Sequence, residues 1–415
     1  MPADIEVPSR TNQTLGVVGG DLTVGDQATI KGQGTPPKVT VSGTVHCRGG
    51  CVFESSLEAQ NLEGEGNIFV KGDLTVKEGV EIGDGGFGVF HERAALHVEG
   101  RMTARTVDVD NEVTVGKDLE AESIEVGGRL ETRGNTKAKS IDVGGSFSTI
   151  GQVDAETIDV GGAVTVESTV KVGKIDVGGS AKVGGGRADE VDVGGSFESK
   201  DSLEFSSIDV GGSVRLAGKS VGGDIDVGGV CKIDGDLQFG KIDVGGIVEI
   251  SGSGRGNSLE VGGKVWAGGA LQLSGSLEVG GRVDVGGDLG AYDVEVGGSI
   301  KAKSVTATTK IEIGGSIMSD EGVNASVVEI GRRGEVVGPL HADEVIIGER
   351  ARVEDVYAKT IIMEERASAR NLYGETIRVE ERCQISGEVQ YTRDLRAEGD
   401  VEFAKQPQKV DKLPT

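Results

Sequence analysis

The chain has 415 residues, a net charge of −25, 71 glycines and only seven prolines, and aromatic residues make up 3% of it. So little aromatic volume beside so much glycine excludes a wide core of large side chains and fits a narrow core with many tight turns. The strong negative charge repels phosphate backbones and anionic lipid, so neither nucleic acid nor a membrane surface is expected as a partner.

Collagen is excluded because the glycines come in pairs within β-branched runs and not at every third position. No run of about 18 apolar residues occurs. The opening Met1-Pro2-Ala3-Asp4-Ile5-Glu6 lacks the basic and apolar regions of an export signal, so a cytoplasmic location is expected. Four cysteines, Cys47, Cys51, Cys231 and Cys383, are too few for an export-type disulfide framework.

In chain order, residues 1–12 read as a flexible tail and 13–105 as less regular solenoid turns. Excursions are expected around Gly34-Thr35-Pro36-Pro37 and from Gly83 to Glu92. Within this stretch, His46-Cys47-Arg48-Gly49-Gly50-Cys51 supplies two thiols and one imidazole, which leaves a tetrahedral metal site incomplete and favours core thiols or a redox pair. The glycine-rich Gly83-Asp84-Gly85-Gly86-Phe87-Gly88 lacks the Lys-Ser/Thr of a phosphate-binding loop and reads as a plain loop.

From 106 to 327 the string I/V/L-D/E-V/I-G-G recurs about every 17 residues, with gaps of 16 to 18. One unit runs Ile158-Asp159-Val160-Gly161-Gly162, and its apolar residues fall in three alternating pairs: Ile158/Val160, Val164/Val166 and Val170/Val172. Alternation with period two makes each pair a short half-buried strand. Three strands closing after 17 residues describe one turn of a single-stranded parallel β-helix, an all-β solenoid whose turns stack at roughly 4.8 Å. Seventeen such turns predict a body on the order of 80 Å long. A helical reading fails, since two glycines per unit each cost about 1 kcal/mol in a helix. A turn of 17 instead of a strict 18 points to the right-handed form.

The Gly-Gly pair marks the first corner, where unusual backbone angles and close approach of neighbouring turns are expected. Residues 328–403 keep the spacing but exchange glycine for charged corners such as Glu364-Glu365-Arg366 and Glu380-Glu381-Arg382. Residues 404–415 are polar and read as a disordered tail.

The outward residue between each first apolar pair is acidic at Glu125, Asp142, Asp159, Asp176, Asp192, Asp209, Asp226, Asp243, Glu260, Glu278, Glu295, Glu312 and Glu329. Stacked turns would align these carboxylates into a ladder, with neighbours near 5 Å apart repelling by about 1 kcal/mol per pair in water. Such a stripe raises carboxylate pKa values and attracts cations or a basic partner, or serves as a solvated face that discourages lateral sticking.

A solenoid's last turn exposes an unpaired strand edge and a core cross-section. At the N-terminal end Leu15, Val17, Leu22 and Val24 are candidates for that layer, and at the C-terminal end Val389, Tyr391, Val401 and Phe403. Either these ends join copies of the chain, or the irregular tails fold over and blunt them, leaving a capped monomer or a lateral dimer. The histidines, His46, His91, His97 and His341, form no repeated cleft. Only His91 or His97, near the 83–92 loop, matches the flank position of a hexapeptide-type acyltransferase, so no catalytic residue, cofactor or metal is assigned.

The segments Gly20-Asp21-Leu22-Thr23-Val24-Gly25 and Lys71-Gly72-Asp73-Leu74-Thr75-Val76, with short V/I-x-V strands, glycine corners and polar tails, resemble the bactofilins, the polymer-forming cytoskeletal family, and their archaeal relatives the halofilins. The resemblance implies a right-handed β-helix that polymerises end to end, without nucleotide, into filaments or scaffolds. Its partners would be further copies of itself, another solenoid protein or a basic client. The rival readings are a non-polymerising scaffold whose acidic face binds cations or a basic partner, and an exported adhesin, which should carry a signal or anchor.

Overall fold

Strand alternation produces the expected architecture in the computed structural model, which describes residues 3–83 and 94–414. His91 and the glycine-rich segment beyond Gly83 lie outside the described residues. The chain divides into two units, Met1–Gly211 and Gly212–Thr415, and both are parallel β-solenoids. Among the described residues the regular elements are all strands, each paired in parallel with the turns beside it.

In the first unit the register is set by apolar residues meeting their own kind one turn away. Ile141 pairs with Ile158, Phe147 with Val164 and Val153 with Val170. These inward residues are buried, and the intervening polar ones face out, as a pleated strand with one wet face requires. Where an inward position is polar it is satisfied internally: the Thr132 and Thr136 hydroxyls lie 2.7 Å apart, and Thr149 Oγ1 donates to the Gly134 carbonyl at 3.0 Å. Among the described residues no buried side-chain nitrogen or oxygen lacks a partner. The excursion at Gly34–Pro37 is closed by an antiparallel bridge between Gln33 and Lys38.

The Gly-Gly corners correct one expectation. Their glycines do not adopt left-handed φ angles; the requirement for glycine comes from contact with the turn below. A Cβ on Gly144 would sit 2.3 Å from the Gly127 carbonyl oxygen, and one on Gly161 would sit 2.4 Å from that of Gly144. Positive φ appears elsewhere, at other glycines such as Gly185 and Gly186 and at non-glycine corners: Arg10 (φ 59°) and Gln27 (φ 56°) in the first unit and Arg333, Arg350, Arg366 and Arg382 (φ 61–62°) in the second. At these non-glycine corners the backbone N–H donates to the neighbouring turn, from Arg350 to Glu365 O and from Arg366 to Glu381 O, both at 3.0 Å. A small buried residue follows each of several of them: Ala28, Ala351, Ala367 and Cys383, all fully buried.

Both tails differ from expectation. Ile5–Val7, assigned to a flexible segment 1–12, is a strand paired with Leu22–Val24, and Val7 is buried. Its apolar alternation is too short to stand out in sequence, but it completes the first turn. Within 404–415, expected to be disordered, Gln408–Lys409 pairs with Gln390–Tyr391.

Candidate functional site

The acidic column is a true ladder in each unit. In the first, pairs run in register through Glu63, Glu81, Asp108, Glu125, Asp142, Asp159, Asp176, Asp192 and Asp209. In the second they run through Asp226, Asp243, Glu260, Glu278, Glu295, Glu312 and Glu329, and the column ends on Ile346. Sequence spacing missed Glu63, Glu81 and Asp108. Glu81 lies between Val80 and Ile82, ahead of the regular repeats, and Val80 pairs with Val107 on the first face.

Lysines interrupt the like-charge column in a way the spacing did not suggest. Lys174 Nζ lies 3.4 Å from Asp176 and 3.5 Å from Glu190. Lys241 lies 3.2 Å from Asp243 and 3.5 Å from Glu260, and Lys310 lies 2.8 Å from Glu312 and 2.7 Å from Glu329. Each lysine stands two residues before its own rung. Hydrogen bonds to these carboxylates, with their charge, hold all three ammonium groups above the usual lysine pKa. The ladder therefore carries built-in counter-ions. Among the described residues no group of three or more His, Cys, Asp or Glu side chains is placed to hold a metal ion.

The described histidines have individual partners. His46 Nδ1 lies 3.1 Å from Glu63 Oε2. His97, outward in its strand, stacks on Phe69 with ring centroids 4.7 Å apart. His341 stacks on Tyr357 at 4.7 Å, and Tyr357 on Tyr373 at 4.8 Å, in one column over successive turns. The four thiols are free and buried. Burial, then the adjoining Cys51, pushes Cys47 well above the ordinary thiol value, and burial alone pushes Cys231 up to about 12.

At the N-terminal end Leu15 sits on an edge strand that among the described residues is paired on one side only, with Ala28–Gly32. Leu22 and Val24 are not in that outer layer, because Ile5 and Val7 cover them. Val17 points outward at 80% exposure, and Val18 takes the inward place. At the C-terminal end Val389 is buried against Leu372, and the strand edge at Tyr391 is covered by Lys409. Val401 and Phe403 are half-buried, as is Leu395, which spacing overlooked. Leu395 stacks on Ile377 and Phe403 on Ile385, with no further strand beyond either among the described residues.

Fold and surface together define a parallel β-solenoid with charge ladders outside and open strand edges at its terminal turns. Comparison with protein-family models, with curated proteins and with solved structures gives no match. No helix among the described residues is long and apolar enough to cross a membrane.

Proposed function

We propose that this chain is a structural protein, not an enzyme, that assembles with copies of itself end to end, in the manner the bactofilin resemblance implies, into nucleotide-independent filaments or rods acting as a cytoplasmic scaffold. The observation that carries this reading is the open C-terminal turn, where half-buried Leu395, Val401 and Phe403 flank unpaired strand edges. An unpaired parallel edge over an apolar cross-section is completed most simply by another strand of the same pitch. The Leu15 edge offers a counterpart.

Negative-stain electron microscopy without nucleotide, over a salt series, tests it. Filaments of uniform narrow width are expected from the parent chain, and discrete short rods from the Leu395→Asp/Phe403→Asp variant. Short rods from the parent under every condition would overturn end-to-end assembly. The second reading is a binding scaffold whose acidic ladder takes a basic partner, favoured by nine carboxylates in register in the first unit.

A further inference from the structure

A second surface of the first unit, on the corner between the third strand of one turn and the first strand of the next, is patterned differently from the acidic ladder. Its floor is a column of small buried residues, including Ala121, Ala138 and Ala155. Because these side chains are short, the corner sinks into a groove of about 690 Å³. The groove's two walls carry charges that change sign turn by turn. Glu120 and Glu122 form one band, Lys137 and Lys139 the next, Asp154 and Glu156 the third, and Lys171 beside Gly173 the fourth. Beyond them Arg187 and Asp189 neutralise each other at 2.8 Å.

Ion pairs within the chain already link these bands, but they are long and wet. Lys137 lies 3.7 Å from Glu120, Lys139 3.4 Å from Glu122 and Lys171 3.7 Å from Asp154, with more than half of every side chain exposed. Exposed pairs of that kind contribute little on their own and leave each group free to bind another.

The order negative, positive, negative, positive is self-complementary under a two-fold axis lying between the Lys137 band and the Asp154 band. That rotation sets Lys137 and Lys139 of one copy against Asp154 and Glu156 of another, and Glu120 and Glu122 against Lys171. A parallel, unstaggered neighbour would instead place like bands together. We infer that this groove is a lateral docking surface for a second, antiparallel copy of the same chain. The contact is isologous, with the same patch on both copies, and it is distinct from the strand edges at the ends. The partner's lysine and glutamate side chains span the small-residue floor. Because the attraction is between exposed charges, it weakens as salt screens it.

Zero-length carbodiimide cross-linking of a mixture of ¹⁵N-labelled and unlabelled chains tests this, with heavy–light peptide pairs reporting contacts between copies. The diagnostic link is Lys171 to Glu120. Within one chain these residues stand three turns, roughly 14 Å, apart, too far for such a link, whereas across the axis they meet. Heavy–light links between Lys171 and Glu120, and between Lys139 and Glu156, are expected at low salt, with at least a tenfold loss in half-molar NaCl. The Lys137→Glu/Lys139→Glu variant alone, and the Asp154→Lys/Glu156→Lys variant alone, should each lose them. An equimolar mixture of the two should regain them, because each then presents the charge the other lacks. The inference fails if the parent yields no heavy–light link in this groove, if the links survive in either single variant, or if mixing does not restore them. Loss of filaments in the end variant leaves these links intact, so each reading can fail without the other.

Discussion

Lys310 Nζ lies 2.7 Å from Glu329 Oε2 in the next turn and 2.8 Å from Glu312 Oε2 in its own, so one ammonium joins two rungs of the acidic ladder. The bonds raise its pKa in the folded chain. Its contribution is therefore complete below the ordinary lysine value of about 10.4 and is lost as pH rises through the higher folded value. Lys310→Met should lower stability at pH 7 by no more than about 1 kcal/mol, since the pair is partly exposed. The deficit should shrink in half-molar salt, and the alkaline fall of the melting temperature should flatten. A variant equally sensitive to alkali would show that the bridge is not formed.

Asp355 works in the opposite direction. Arg370 grips it through Nε at 2.9 Å and a second, Nη2 contact, and Asn371 Nδ2 donates to it at 2.8 Å. Hydrogen bonding to Arg370 holds this carboxyl below its usual value against the effect of burial. The stability it supplies is present above about pH 3.9, the ordinary Asp value, and is lost as pH falls through the folded value. Asp355→Asn should cost about 1–2 kcal/mol at pH 7 and converge with the parent in denaturant titrations near pH 2. A constant gap down to that pH would contradict the assignment.

The two kinds of corner predict opposite responses to side-chain changes. Gly144→Ala places a Cβ against the Gly127 carbonyl and should destabilise by about 1–3 kcal/mol, as overpacking of a tight contact does. Arg366→Gly relieves a left-handed residue and should leave stability unchanged or raise it by up to about 1 kcal/mol. Urea unfolding of both variants, compared with the parent, reads the difference. Equal losses would mean that the corners are not distinguished by backbone geometry.

Cys231 is fully buried and its thiol is pushed up to about 12. Alkylation at pH 8, followed by peptide mass spectrometry, should leave it unmodified in the folded chain and modify it fully in denaturant. Rapid native labelling would place it outside the core.

Much of the solenoid was legible because one rule repeats. Ile158/Val160 with Asp159 between them sets strand, face and ladder in three residues, and the observed pairing of Ile141 with Ile158 follows from it. What escaped was what does not repeat. Ile5 and Val7 form a single strand beside no obvious corner, so Leu22 and Val24 looked terminal when they are not. Leu395 was hidden because Gly374 and Thr376 pair with Tyr391 and Asp394 across an irregularity that shifts the count. The alternating bands on the groove walls are illegible until Glu120, Lys137 and Asp154, 17 residues apart, are placed side by side.

The contact of Gly144 with Gly127, and of Gly161 with Gly144, is the same contact made again. Excising residues 144–160 would set Gly161 on Gly127 and restore the corner contact, while on the groove wall it would bring Lys171 beside Lys137. Within the glycine-cornered part of the first unit, length is thus a countable property: the gene can lengthen or shorten the protein by one 17-residue step, near 4.8 Å, much as a ruler is cut at its graduations. Selection can adjust reach there by reusing one corner contact, at the cost of resetting the order of charges on the groove wall.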